Sequence, residues 1–403
     1  MSSVRHKPLT FMLSNKIQSI HPSLTLTIAQ KASDMVAKGL DVILLSLGEP
    51  DFTTPLTVKE AAHLAIESNM TYYTPVDGTA ALKEAICLKL SRDNNLQYQP
   101  NEIIVSNGCK QAIFNTLYSL LNPGDEVIIG SPYWVSYPEM VTACDGTPIF
   151  VQTTLEDRFL LTAKKLAQAI TPKTKMVILN SPANPSGQNY NKEELQAIAD
   201  LLIHYPQIFI CSDDVYETIL WEGKYFNILN VAPELKPRTI LVNGVSKSHA
   251  MTGWRIGYAA ADKILIAALK KIQSQTTSNP CSISQVAATA ALNQHCAEEH
   301  YMQQEYKRRH EFLFQGLRSI PFFTILPSQG TFYLWVDITK ALEHLNIAND
   351  FVFAEQLLHE GLVSIVPGSG FGMPGFIRIS FTADIPILTK AIERIKAFIA
   401  KNT

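Results

Sequence analysis

The sequence predicts an α/β protein: a large domain with a mostly parallel sheet covered by helices on both faces, plus a smaller α+β domain formed by the N- and C-terminal segments. Three observations carry that expectation. The chain has 403 residues, and single cores stop growing at roughly 250–300 residues, so two domains are expected. From about residue 57 onward, helical patterns alternate with short apolar runs. Those runs are consecutive rather than alternating in character, which suits strands covered on both faces.

Taken in order, LTIAQKASDMVAKGLDVILLSLGEPDF precedes the alternation and is assigned to the smaller domain. VKEAAHLAIES and AALKEAICLKLSRD carry apolar residues at three- and four-residue spacing and read as amphipathic helices. NEIIVSNG, DEVIIGSP, KMVILNSP, IFICSDD and TILVNGVS each read as a strand running into a turn. After residue 290 come a long helical stretch, CAEEHYMQQEYKRRHEFLFQGL, the strand-like TFYLWVDI, VSIVPG and FIRISF, and the amphipathic AIERIKAFIA. With no repeat and no Gly/Ser linker, the two ends of the chain are expected to pack together. Residues 1–51 then form an N-terminal arm and part of the smaller domain, 52–290 the large domain, and 291–403 the rest of the smaller one.

Composition excludes several functions. Hydrophobic residues make up 46% and charged residues 17%, with a net charge of −2, so no basic surplus points to nucleic acid. KPRTIL and YKRRHEF, the nearest approaches to basic clusters, read as solvated faces. No run reaches the ~18 apolar residues of a membrane span. The opening MSSVRHKPLTFMLSNK lacks the apolar core of a signal peptide, so the cytoplasm is the expected location. The six cysteines are scattered, without CxxC or zinc spacing, and read as free thiols, with no metal expected.

In parallel sheets ligands gather at the carboxyl ends of strands. IFICSDDVYE delivers Asp213 and Asp214 at such an end, with Tyr216 close behind. A buried carboxylate there is costly unless it meets a cation or donors; a plain turn or cap aspartate is the bland alternative. NSPANPSGQ makes a rigid loop with Asn184 best placed to donate a hydrogen bond. SNGCKQAIFNTLYSLL passes from a strand through Gly108 into a helix start, where free N–H groups and the helix dipole favour an anion. It lacks GxGxxG and GxxxxGK[ST], so neither a dinucleotide nor a P-loop nucleotide is indicated. VNGVSKSHAMTGWRIGYAA places Lys247 at a strand end and Arg255 eight residues later. A desolvated lysine is a nucleophile toward carbonyls, and an arginine can clamp a phosphate. Amine, phosphate cradle, arginine, carboxylate and tyrosine together suit pyridoxal phosphate.

The motifs LSLGEPDFTTP, YYTPVDG, SPYWVSYPEM, NSPANPSG, SDDVYE, VSKSHAMTGWRIGYA, PSQGTFY and IRISF stand in that order between Leu45 and Phe381, and the likeness they carry runs from about Leu13 to the C-terminus. In this the chain resembles the fold-type-I pyridoxal-phosphate aminotransferases of class I, most closely the bacterial aspartate aminotransferases of the aspartate/prephenate branch. The resemblance implies that Lys247 condenses with the cofactor aldehyde and later moves the substrate Cα proton. It implies that Asp213 pairs with the ring nitrogen, that Tyr216 and Asn184 bond the 3′-oxygen, and that Trp134 stacks on the ring. The phosphate is then held by the backbone of Gly108, Cys109 and Lys110, by Ser246 and Arg255, and by Tyr73 of a second subunit in a homodimer with shared sites. Arg378 with the Gly48 backbone holds the substrate α-carboxylate, helped by Trp134 and Asn184. QSQTTSNPCSISQ has no arginine for a distal carboxylate; in this branch that task is implied for Lys110 and Thr25.

Two departures stand out. Leu47 precedes Gly48 where a small residue is usual, and it narrows the expected pocket. Gly244 replaces a serine that some relatives use on the phosphate. The activity implied is transfer of an amino group from aspartate to 2-oxoglutarate by ping-pong kinetics. Preference for prephenate or aromatic amino acids is an alternative, and a C–S β-lyase on the same fold a more distant one. A regulator's sensor domain is not expected, because no DNA-binding module fits ahead of Leu13.

Overall fold

The computed structural model describes residues 13–21, 24–293 and 297–401; the side chains of 24–26, Thr25 included, and Cys296 lie outside the described residues. In chain order the strands are β1 (Ile43–Leu44), β2 (Ile103–Ser106), β3 (Glu126–Ser131), β4 (Thr147–Gln152), β5 (Thr174–Asn180), β6 (Phe209–Asp213), β7 (Thr239–Gly244), β8 (Gly257–Ala260), β9 (Thr324–Ile325), β10 (Tyr333–Asp337), β11 (Val363–Ser364), β12 (Val366–Pro367) and β13 (Phe376–Ser380).

The large sheet has the order β2-β8-β7-β6-β5-β3-β4. From β4 to β7 neighbours are parallel, while β8 runs antiparallel to both β7 and β2. Its strands are apolar on both faces for a visible reason. Val105, Ile128, Val177, Ile210 and Leu241 face one helical layer, which includes Val58, Leu82 and Ile198. Their neighbours Ile104, Val127, Met176, Cys211 and Ile240 face the other, with Ile113, Val141 and Leu269. A strand sandwiched in this way has no solvent side, so the period-two alternation of a half-exposed strand is lost.

A second, antiparallel sheet has the order β12-β13-β10-β9. Its core joins Met302, Tyr306 and Leu313 of helix Ala297–Arg318 to Leu388 and Ile395 of helix Ile385–Lys401, and takes in Ile43 and Leu45 from the other end of the chain. β1 pairs in parallel with β11, Ile43 opposite Val363. The early and late segments therefore share one core.

Some expectations needed correction. Strands β4 (TPIFVQ) and β8 (GYAA) are absent from the runs read in sequence. The first is an exposed edge strand and the second too short and small to carry a pattern. YKRRHEF is not a solvated face, because Arg309 and His310 point inward and are buried. Arg309 pairs with Asp51 and Glu305. His310 accepts a hydrogen bond from the Ser328 N–H at 3.0 Å, and burial lowers its pKa to about 4, so it is neutral. In KPRTIL, Arg238 donates to the carbonyls of Leu202, Tyr205 and Ile208. Charge runs read as solvated when their partners are distant in sequence. Among the described residues no helix is long and apolar enough to cross a membrane.

Candidate active site

A cleft of about 390 Å³ opens where β5, β6 and β7 end, between the two sheets. β6 delivers Asp213, which is 4% exposed. Its Oδ2 accepts from the Tyr137 hydroxyl at 2.6 Å, and its Oδ1 from the Val215 N–H at 3.4 Å. Burial pushes its carboxyl up to about 6, against the opposite pull of Tyr137, Val215 and the Lys247 charge. Asp214 is not a cleft residue. It accepts from Ser212 Oγ and Asn227 Nδ2, both at 2.7 Å, and burial pushes it up to about 7. Of the two aspartates, the second ties the turn together.

Lys247 sits three residues beyond the end of β7, in the one-turn helix Val245–Ser248, rather than at the strand end itself. Its Nζ donates to the Gly48 carbonyl at 2.5 Å. Loss of solvent around the half-buried side chain lowers the ammonium to about 8. Gly244 is explained by space: a Cβ there would stand 2.9 Å from Cys109 Sγ and from the Ile256 carbonyl. Ser246 is buried and lines the cleft.

Helix Cys109–Leu120 begins at Gly108, whose φ of 82° is easy only for glycine, and no side chain caps it. A Cβ on Gly108 would collide with the Arg255 guanidinium. That guanidinium donates to the carbonyls of Thr252 (2.9 Å) and Asn107 (3.3 Å), so it stands beside the helix start. Cys109, Lys110, Trp134, Asn184 and Tyr216 also line the cleft. Lys110 keeps an exposed flank at the mouth, with Nζ 4.9 Å from the centre of the Trp134 ring. Partial desolvation first, and the Arg255 charge second, lower its ammonium.

From β13, Arg378 enters the opposite wall, 4% exposed. Nη1 donates to Asn184 Oδ1 and Nη2 to the Ser46 carbonyl, each at 3.0 Å, while Nε has no hydrogen-bond partner. Its guanidinium lies 4.1 Å over the Tyr333 ring, and burial lowers its pKa. Tyr333 Oη is 3.0 Å from Tyr216 Oη. Gly48 lines the cleft beside it, and so does Leu47, 39% exposed. Tyr73 stands apart, outside the cleft and 92% exposed. The Thr25 side chain lies outside the described residues.

Sequence reasoning missed Tyr137 and Tyr333. Both lie inside motifs quoted above, SPYWVSYPEM and PSQGTFY, but an aromatic residue in a buried element gives no hint that its hydroxyl faces a carboxylate or another phenol.

The arrangement fits pyridoxal phosphate. An uncapped helix start with Arg255 beside it suits the phosphate. Asp213, driven up by burial, gains from a cationic ring nitrogen. Lys247, with its pKa lowered, suits an aldehyde, and the unpartnered Arg378 Nε leaves a donor for a carboxylate.

The chain is similar to known proteins along nearly its whole length. Residues 40–395 match the family model described as aminotransferase class I and II. An aspartate/prephenate aminotransferase of Nitrosomonas europaea is 47% identical over 397 residues, covering 96% of this chain and 100% of that one. An aspartate aminotransferase of Bacillus sp. strain YM-2 is 46% identical, covering 96% of this chain and 99% of its own. Among solved structures, aspartate aminotransferases from Rhizobium meliloti and, with maleate, from Thermus thermophilus each superpose with a TM-score of 0.92. They are 40% and 39% identical, covering 97% and 96% of this chain and 99% and 100% of their own.

Proposed function

Because the chain belongs to the aminotransferase class I and II family, we propose that it transfers the amino group of aspartate to 2-oxoglutarate by a ping-pong mechanism, as a cytoplasmic homodimer. The family's cofactor is pyridoxal phosphate. One observation carries the substrate reading: Lys110 stands at the mouth of the same cleft as Lys247, Arg255 and Arg378, a further cation beside those assigned to the aldehyde, the phosphate and the α-carboxylate.

When bound, pyridoxal phosphate supplies an aldehyde that takes up the amino group and a protonated ring that draws off the electron pair at the substrate Cα. Asp213 keeps the ring nitrogen protonated, and Tyr137 keeps Asp213 ionised by donating to it. The N–H groups of Cys109 and Lys110, with Ser246 and Arg255, hold the phosphate, whereas the Gly108 N–H expected to join them donates to the Ser106 carbonyl at 2.8 Å; the partner's copy of Tyr73 reaches the phosphate from across the dimer. Trp134 covers the ring face; Tyr216 and Asn184 bond the 3′-oxygen. Lys247 would carry the proton between the substrate Cα and the cofactor C4′, which an amine titrating at about 8 can do near neutral pH. Arg378 and the Gly48 N–H fix the α-carboxylate, and Lys110 with Thr25 the distal one.

The dimer is supported by the exposed apolar side chains of the stretch that leads to Tyr73, namely Leu56, Leu64, Ile66, Met70 and Tyr72. Five free thiols among the described residues suit a reducing compartment. The division at 1–51, 52–290 and 291–403 is proposed with them, supported by the separate cores of the two sheets. A second reading, use of prephenate, is favoured by the name of the Nitrosomonas europaea relative.

A panel of amino donors on the purified holoenzyme tests the proposal. Lys247→Ala abolishes the half-reaction. Arg378→Lys weakens all donors alike. Lys110→Ala costs aspartate and glutamate about 1.5–3 kcal/mol, or roughly ten- to a hundredfold in kcat/KM, and spares monocarboxylic donors. A uniform loss across donors for Lys110→Ala sinks the dicarboxylate reading.

A further inference from the structure

The segment that follows β1, residues 45–54, runs between the two sheets and is fastened to both. At its start the Leu45 N–H donates to the Ser364 carbonyl at 2.9 Å, and the Leu45 carbonyl accepts from the Ser380 N–H at 2.8 Å. The Ser46 carbonyl accepts from Arg378, and the Gly48 carbonyl from Lys247. Toward the large sheet, the Thr252 hydroxyl donates to Glu49, and the Thr54 hydroxyl to the Ala250 carbonyl at 2.9 Å.

The middle is held by Arg309, which does not line the cleft. It reaches from helix Ala297–Arg318, 6% exposed, and its Nη1 meets the two Asp51 oxygens at 2.9 and 2.7 Å. Its Nε donates to Glu305 on its own helix at 2.9 Å, and its guanidinium lies 5.2 Å over the ring of Phe52. A buried guanidinium must be paired. Glu305 serves one edge within the helix, but the other edge is paired only through Asp51. The helix thus grips the strap three residues from Gly48.

We propose that Arg309 is a positioning residue for the substrate α-carboxylate. Its hold on Asp51 sets where the Gly48 N–H stands and, through the Ser46 carbonyl, how the Arg378 guanidinium is aimed. The inference rests on the reading that Gly48 and Arg378 receive that carboxylate. A misplacement of about 1 Å at such a site can cost on the order of a hundredfold.

The test uses holoenzyme and two variants, Arg309→Lys and Asp51→Asn, with Arg378→Lys as reference. Maleate, a dicarboxylate without an amine, reports the carboxylate contacts without turnover. Both variants should weaken maleate binding about tenfold and raise donor KM alike while kcat falls less than about threefold. The double variant should be no worse than either single one. Unchanged maleate affinity with only a lower Tm, or failure of both variants to fold, makes the pair structural and overturns the proposal. If Arg378→Lys itself leaves maleate binding unchanged, the carboxylate reading has failed, and this proposal falls with it.

Discussion

Replacing Tyr137 by phenylalanine removes one hydroxyl from the buried carboxylate of Asp213. The bond is short, 2.6 Å, and both side chains are shielded from water, so solvent screening does not dilute it. A hydrogen bond to a charged group contributes about 1.5–3 kcal/mol. At 1.36 kcal/mol per tenfold, its loss lowers the acid dissociation constant of Asp213 by roughly ten- to a hundredfold. The wild-type carboxyl already stands at about 6 in the cofactor-free protein, so in the variant it titrates across neutrality. A protonated Asp213 cannot pair with a protonated ring nitrogen. Cofactor affinity is therefore lost as pH falls through the raised pKa. The two proteins should bind pyridoxal phosphate within about twofold of each other at pH ~8 and diverge by about five- to fiftyfold at pH ~6. Quenching of tryptophan fluorescence on addition of cofactor to apoenzyme reads this directly. A ratio that stays constant with pH would show that Tyr137 does not govern the charge of Asp213, and the reasoning would be refuted.

Leu47→Ala widens the cleft where Leu47 lines it. Since a methylene is worth about 1–3 kcal/mol in discrimination, aromatic donors should gain about tenfold relative to aspartate in kcat/KM, and an unchanged ratio removes Leu47 from the specificity argument. Lys89→Met leaves Glu217 without its cation in a pair whose side chains are each 7% exposed. It should cost about 3–5 kcal/mol of stability by urea titration. A loss under about 1 kcal/mol would mean that the bonds to Glu217 from Asn94 and Asn243 suffice.

Much of the cleft was legible in sequence because its residues follow strands whose apolar runs are unbroken. Asp213, Asn184, Gly108 and Lys247 each stand at or just past such a run. What escaped notice depends on distant parts of the chain. Arg309 looks solvated until Asp51, 258 residues away, is brought beside it. Tyr137 and Tyr333 contribute hydroxyls from inside buried elements, and composition cannot show which way a ring points. β8 is only four residues, GYAA, three of them small, and its strand character comes from the pairing of both its edges more than from propensity.

The two sheets also divide the roles proposed for the cleft. The groups assigned to the cofactor (Asp213, Lys247, Ser246, Arg255 and the helix beginning at Cys109) hang from the large sheet or its connections, whereas Arg378 and Tyr333 belong to the small one and Gly48 to the strap. On the proposed reading, a substrate's α-carboxylate would be gripped and released by groups other than those that anchor the cofactor. The α-carboxylate contacts can thus be altered from the small sheet and the strap alone, whereas altering the distal contact at Lys110 means changing the helix that also starts the phosphate cradle.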